Sequence, residues 1–181
     1  MNYLDNNLHG KNIMTSFNAT TAQLQKPVLK EGSKGEAVKE LQRLLLKYDV
    51  YIGTPDACSP VGEEVVDGIF GARTTAAVKT FQARMFLTQD GIVGDRTWRS
   101  LFKGAPVDMP TLKKGSKGDL VKRIQERLTV AGYEVGKIDG DFGSSLEKAV
   151  RQLQKNTGLP VDGVINDRTW FELSKLNTNF C

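Results

Sequence analysis

The chain has few of the residues on which metal and covalent chemistry depend. Its 181 residues include one histidine, His9, and two cysteines, Cys58 and Cys181. A single histidine in a polar stretch leaves almost no material for a zinc site or a histidine-based catalytic triad. Two cysteines are too few for a disulfide framework. The sequence therefore predicts no catalytic residue, no metal site and no cofactor.

Long apolar runs and strong net charge are also absent. No run of about 18 apolar residues occurs, so the sequence predicts no membrane partner. The net charge is only +4 at pH 7, and no aromatic platform accompanies the lysine clusters, so nucleic acid is not an expected partner. The N-terminal stretch has no basic segment followed by an apolar one, which predicts no secretory signal peptide.

One pattern of turns and helices occurs twice. The first copy has Asp-Gly-Ile-Phe-Gly at 67–71 and Asp-Arg-Thr-Trp at 95–98. The second has Asp-Gly-Asp-Phe-Gly at 139–143 and Asp-Arg-Thr-Trp at 167–170, each 72 residues later. Self-similarity at a fixed offset indicates two copies of one structural unit.

The two copies open with the same segment, Leu-Lys-x-Gly-Ser-Lys-Gly, at 29–35 and 112–118. Here the offset is 83, so the first copy carries eleven additional residues. The insertion lies near 48–64, where Gly and Pro are frequent, which is typical of a surface loop.

Apolar residues at helical spacing follow each opening segment. They recur at i, i+3 and i+7, which places them on one helix face. Two further helices are predicted in each copy, after Phe-Gly and at Asp-Arg-Thr-Trp. The predicted core consists of Val38, Leu41, Leu45, Val78, Phe81 and Leu101, and of Val121, Ile124, Leu128, Val150, Leu153 and Leu173. The predicted fold class is all-α, with two tandem copies of a small three-helix bundle and Gly-rich turns.

Helix starts are predicted from capping residues. Ser33 and Glu36 have the spacing of a capping box at the first helix. Asp95 and Asp167 precede Arg-Thr-Trp and are predicted as N-caps of the third helix in each copy.

The resulting division of the chain has five parts. The predicted boundaries are a polar arm at 1–27, a first domain at 28–103, a linker at 104–111, a second domain at 112–174 and a tail at 175–181.

The combined order of these motifs resembles the peptidoglycan-binding domain found beside many cell-wall hydrolases. In both copies, Gly-x-x-Gly-x-x-Val precedes a Gln-containing helix, Asp-Gly-x-Phe-Gly precedes Ala-Val-x-x-[Phe/Leu]-Gln, and a second Asp-Gly precedes Asp-Arg-Thr-Trp-x-x-Leu. The resemblance covers 29–101 and 112–173. It implies a compact three-helix fold that binds cell-wall glycopeptide without catalysis, so the chain is not expected to be an enzyme.

The resemblance implies peptidoglycan as the partner, through its glycan strand and stem peptide. A shallow groove with aromatic and amide side chains and a cation suits such a ligand. An arginine beside a helix N-terminus can bind a carboxylate, since its guanidinium and the free N–H groups of the helix both favour an anion. The aromatic candidates have core packing as their alternative. The candidate ligand-binding residues are Phe70, Gln82, Arg96, Phe142, Gln154 and Arg168.

A second interpretation is a structural or docking component of a larger assembly, such as a phage tail, an injection machine or a secretion machine. The polar arm and the tail would then contact a protein partner. The two interpretations differ in location: the cell wall or periplasm if the chain is exported, or the cytoplasm or a virion during assembly.

Overall fold

The computed structural model describes residues 26–48, 50 and 66–176. That part of the chain contains α-helices and isolated β-bridges but no strand, which confirms the all-α class. The helices are α1 (Glu36–Lys47), α2 (Ala72–Arg84), α3 (Asp95–Lys103), α4 (Asp119–Val130), α5 (Ser144–Asn156) and α6 (Asp167–Lys175). Some of the predicted features lie outside the described residues: most of the polar arm, most of the insertion with Cys58, and the end of the tail with Cys181.

The twelve predicted core positions are all fully buried, as the helical spacing requires. α1 to α3 enclose one apolar cluster and α4 to α6 enclose a second. Each cluster contains one tryptophan whose ring nitrogen is also satisfied: Trp98 Nε1 donates to the Pro27 carbonyl at 2.9 Å, and Trp170 Nε1 to the Pro110 carbonyl at 2.8 Å. The segment before each unit is thereby attached to the third helix.

Short antiparallel bridges hold the opening segment of each unit against its turns. Leu29 exchanges two backbone hydrogen bonds with Val93, and Leu112 does the same with Ile165. The turn glycines make this close approach feasible. Gly140 has a φ of +79°, and a Cβ there would lie 3.2 Å from the Gly118 carbonyl oxygen, so a side chain would force the two segments apart.

The predicted helix caps are wrong. The N-cap of α1 is Gly35, and the Ser33 hydroxyl instead accepts from the Lys30 N–H, because the helix begins too far along the chain for a capping box. Asp95 and Asp167 are the first residues inside α3 and α6 rather than the caps. The cap of α6 is Asn166, whose side chain accepts from the N–H groups of Arg168 and Thr169.

The linker is attached to α3 by ion pairs. Arg99 donates to both carboxylate oxygens of Asp108, at 2.9 and 2.5 Å, and to Asp95 at 2.8 Å. Asp108 has a φ of +53°, an uncommon conformation for a residue other than glycine. Val107 beside it is buried. These contacts fix the course of the chain between the two units.

The two units are docked through Phe86, which follows α2. Its φ of +58° is a left-handed conformation, and the second copy has Gly158 at the equivalent place. The ring lies among the apolar side chains of the second unit, 4.9 Å from Trp170 in an edge-on arrangement. A phenylalanine held where glycine is preferred indicates that its docking contact outweighs the backbone strain.

Arg127 of α4 completes the docking contact. Its guanidinium donates to the carbonyls of Ala83 and Arg84 at the C-terminal end of α2, at 2.6 and 2.7 Å, and lies 4.0 Å from the centre of the Phe86 ring. Burial lowers the pKa of Arg127 to about 10, so the side chain is still charged at pH 7. The negative end of the α2 dipole and the ring face both stabilise that charge.

Candidate functional site

The side-chain amide of Gln154, a residue of α5, lies at the centre of the Asp162–Gly163 turn that precedes α6. Its amide nitrogen donates to the Asp162 carboxylate at 2.7 Å and to the Val164 carbonyl at 2.9 Å. Its amide oxygen accepts from the Gly163 N–H at 2.9 Å. One buried side chain therefore satisfies both sides of the Asp-Gly turn, which an isolated turn would leave to water.

The same arrangement occurs at all four Asp-Gly turns. In each, a buried glutamine accepts from the glycine N–H and donates to the aspartate carboxylate. The four pairs are Gln42 with Asp67, Gln82 with Asp90, Gln125 with Asp139 and Gln154 with Asp162. The sequence interpretation missed Gln42 and Gln125 as members of this network, although their 83-residue offset matches that of the opening segments.

Hydrogen bonds to the carboxylates lower three of the aspartate pKa values. The pKa of Asp67 is lowered chiefly by the Gln42 side chain, and those of Asp139 and Asp162 chiefly by the backbone N–H two residues on. Such bonds favour the ionised form over the neutral one. The folded state therefore holds fewer protons than the unfolded chain in acid.

This difference predicts acid-sensitive stability. Because the folded-state pKa values are depressed, the stabilisation is present above the unfolded carboxyl pKa of about 4 and is lost as pH falls through the folded values. We expect a nearly constant melting temperature between about pH 5 and 7 and a steep fall below about pH 4. Asp162→Ala should flatten that fall, measured by circular dichroism melts. Glu134→Ala, at an exposed carboxylate with no hydrogen-bond partner among residues 26–48, 50 and 66–176, is the control and should retain the wild-type slope.

Four of the six candidate ligand residues are placed inside the protein. Phe70 and Phe142 are 1% and 2% exposed and belong to the two apolar clusters. Gln82 and Gln154 are each 1% exposed, with their amides engaged in the turn network. The positions of the two phenylalanines match the alternative of core packing, and in this conformation all four side chains present almost no surface to a ligand.

Arg168 lies in a different environment, on an open groove beside the start of α6. The groove has a volume of about 480 Å³. Arg168 is exposed, and its guanidinium has no hydrogen-bond or ion-pair partner in the described part of the chain. The groove is lined by Thr111, Gln154, Leu159, Pro160, Asn166, Asp167, Arg168 and Thr169. It thus combines an available cation with polar and apolar walls.

Arg96, the equivalent residue of the first unit, is engaged by the linker. Its Nη2 donates to the Val107 carbonyl at 3.3 Å, and its Nε lies 3.8 Å from the Asp108 carboxylate. A carboxylate of the chain itself therefore stands beside Arg96. Within residues 26–48, 50 and 66–176, the two arginines therefore have different surroundings.

The described residues contain no group of three or more His, Cys, Asp or Glu side chains placed to hold a metal ion. None of their helices combines the length and the apolarity needed to cross a bilayer.

Comparison with known proteins places both units in one family. The family model described as "Putative peptidoglycan binding domain" matches residues 34–101 and 117–173. N-acetylmuramoyl-L-alanine amidase CwlM of Mycobacterium tuberculosis is 30% identical over 146 residues, which cover 78% of this chain and 36% of the amidase. N-acetylmuramoyl-L-alanine amidase CwlL of Bacillus licheniformis is 29% identical over 196 residues, covering 93% of this chain and 52% of that protein.

A solved peptidoglycan-binding protein from Clostridioides difficile, in complex with glutamine hydroxamate, is 45% identical, with a TM-score of 0.36, over 37% of this chain and 42% of that one. The chain spans about half or less of the length of the curated relatives named above. Because the two matched segments include most of α1 to α3 and of α4 to α6, this chain belongs to the peptidoglycan-binding domain family, of which it carries two tandem copies.

Proposed function

We propose that this chain binds cell-wall peptidoglycan without catalysis, and that the groove beside Arg168 receives a carboxylate of the stem peptide. The observation that carries the proposal is the exposed guanidinium of Arg168, which has no partner in the described residues and lies on a groove of a peptidoglycan-binding domain. Relatives named as amidases support the wall as the setting, and a cell-wall or periplasmic location follows from it.

The chemistry of the groove suits an anionic peptide. A guanidinium pairs with a carboxylate through two parallel hydrogen bonds, and Arg168 stands in the first turn of α6, where the helix dipole also favours an anion. Leu159 and Pro160 offer apolar contact to the methyl groups of alanine-containing stems. Asp167 on the same turn opposes a ligand carboxylate, so the ligand anion is expected on the Arg168 side.

The two units differ in this proposal. Arg96 already faces Asp108 and the Val107 carbonyl, whereas Arg168 is available. We therefore assign the carboxylate contact to the second unit. The first unit contributes to binding through other surfaces, and its Arg96 contributes mainly to holding the linker.

Arg168→Ala tests the assignment. A charge-assisted hydrogen bond contributes about 1.5–3 kcal/mol, so we expect roughly tenfold to a hundredfold weaker co-sedimentation with purified sacculi. The salt dependence of binding should also decrease, because a screened charge pair is removed. The melting temperature should be nearly unchanged, since the side chain has no partner among residues 26–48, 50 and 66–176 to lose.

Arg96→Ala is the matched control, at the equivalent position of the first unit. It should reduce sacculus binding much less, while loosening the linker. Unchanged sacculus binding by Arg168→Ala would contradict the site. Failure of the wild-type chain to bind sacculi at all would favour the alternative of a docking component in a larger assembly. Isolated halves are poor controls, because Phe86 of the first unit fills part of the second core.

A further inference from the structure

A second groove lies where the two units meet. Its volume is about 600 Å³, and it runs between α3, the linker and the start of α6. We call it the junction groove, and it is lined by Phe102, Lys103, Val107, Met109 and Asp167 together with the Arg99–Asp108 ion pair. Asp167 also lines the groove of Arg168. The two grooves are therefore neighbours on either side of the first turn of α6.

Phe102 provides an aromatic surface on this groove. The side chain is 43% exposed, although an aromatic ring of this size normally gains stability by burial. Its ring stacks on Trp98, with centres 5.8 Å apart and planes 18° from parallel. Trp98 is fully buried and hydrogen-bonded, so it holds the Phe102 ring in place. The second unit has Ser174 at the equivalent position, so the fold itself does not require an aromatic residue there.

The charged groups around the ring suit a ligand with many hydroxyl groups. Asp167 offers hydrogen-bond acceptors. Lys103 is exposed and has no ion-pair partner in the described part of the chain, so its ammonium group can donate hydrogen bonds to a ligand. The pKa of Asp108 is lowered, chiefly by its hydrogen bonds with Arg99 and also by the charge of Lys103, so its carboxylate stays ionised at neutral pH. Two carboxylates disfavour an anionic peptide at this place.

We propose that the junction groove binds the glycan strand, with the apolar face of a sugar ring against Phe102 and sugar hydroxyl groups at Lys103 and Asp167. The inference rests on the proposed function: a wall polymer held at the Arg168 groove would extend into the adjacent one. The docking of the units through Phe86 and Arg127 keeps the two grooves in line. One glycan strand would thus contact residues of both repeats, instead of each repeat binding a strand separately.

The test compares two soluble peptidoglycan fragments by calorimetry, using the full chain. One is a single disaccharide with its stem peptide, and the other contains four such units. The wild-type chain should bind the longer fragment more tightly. Phe102→Ser introduces the residue of the second repeat. It should weaken the longer fragment about two- to tenfold, as expected for one lost aromatic contact, and leave the short fragment unchanged.

Phe171→Ser is the matched control, because Phe171 is also a partly exposed phenylalanine but does not line the junction groove. It should bind both fragments like the wild-type chain. Lys103→Glu, at an exposed position, tests the same groove without touching the stacked rings and should selectively weaken the longer fragment.

The outcomes distinguish the glycan site in the junction groove from peptidoglycan binding by the chain as a whole. If Phe102→Ser and Lys103→Glu both bind the longer fragment like the wild type, the junction groove is not a glycan site while the proposed function stands. If the wild-type chain binds neither fragment, the proposed function fails and the glycan site fails with it.

Discussion

Replacing Phe86 by alanine is expected to destabilise the protein by about 3–5 kcal/mol, the usual cost of removing a buried phenylalanine ring. The ring fills space among the apolar residues of the second unit and contacts both Trp170 and the Arg127 guanidinium. Its loss leaves a cavity in that core and a buried cation without its ring contact. We further expect the single unfolding transition to separate into two, because the docking between the units weakens.

Calorimetric melting of the full chain measures both effects. Phe86→Gly isolates the backbone contribution, since glycine adopts the left-handed conformation freely and occupies the equivalent position in the second copy. It should be more stable than Phe86→Ala by about 1 kcal/mol. Phe171→Ala, at a partly exposed ring, should change stability much less. A single transition at nearly the wild-type temperature in Phe86→Ala would show that the units are not coupled through this ring.

Leu128→Ala is the second large effect. Leu128 is fully buried at the centre of the second unit, and truncation of such a leucine costs roughly 2–5 kcal/mol. The free energy of unfolding of so small a unit is not much larger than this cost, so the second unit should unfold at or near physiological temperature. Sacculus binding should then be strongly weakened, because the Arg168 groove is lost; apart from Thr111 of the linker, its lining residues belong to the second unit.

Leu45→Ala is the matched variant, because Leu45 is the equivalent and equally buried residue of the first unit. It should destabilise the first unit by a similar amount yet retain part of the sacculus binding. Val130→Ala, at a residue 65% exposed, is the control for α4 and should change the free energy of unfolding little. Equal loss of binding in Leu45→Ala and Leu128→Ala, measured at a temperature where the second unit of Leu45→Ala is still folded, would contradict the assignment of the groove to the second unit.

Local patterns were sufficient for the helices but not for their ends. The spacing of Val38, Leu41 and Leu45 sets which helix face is buried, whatever the rest of the chain does. The start of α1 depends instead on Gly35, whose φ of +109° is set by the pairing of the opening segment with the next turn. The spacing of Ser33 and Glu36 therefore predicts a cap that does not form, because the helix begins after Gly35.

The candidate site shows the same division. The sequence shows Gln82 and Gln154 at equivalent positions of the two copies, but a polar amide in a helix gives no local sign of whether it faces a ligand or an internal turn. The turns that they satisfy come 8 residues later in sequence, at Asp90 and Asp162, and only the packing of helix against turn buries the amides. The sequence likewise does not show whether Phe70 and Phe142 face a ligand or the core, because an aromatic ring after a turn suits both positions.

The sequence by itself determined the all-α class, the two copies and the twelve core positions, because helical periodicity and repetition are visible along the chain, and the order of its motifs carried the resemblance to the family. Only the tertiary structure decided that Arg96 is engaged by the linker while Arg168 has no side-chain partner among the described residues, that Phe86 docks one unit on the other, and that Phe102 faces a groove between them. These features depend on tertiary contacts that local patterns do not show, such as that of Phe86 with Trp170, and the two related copies thereby acquire different surroundings.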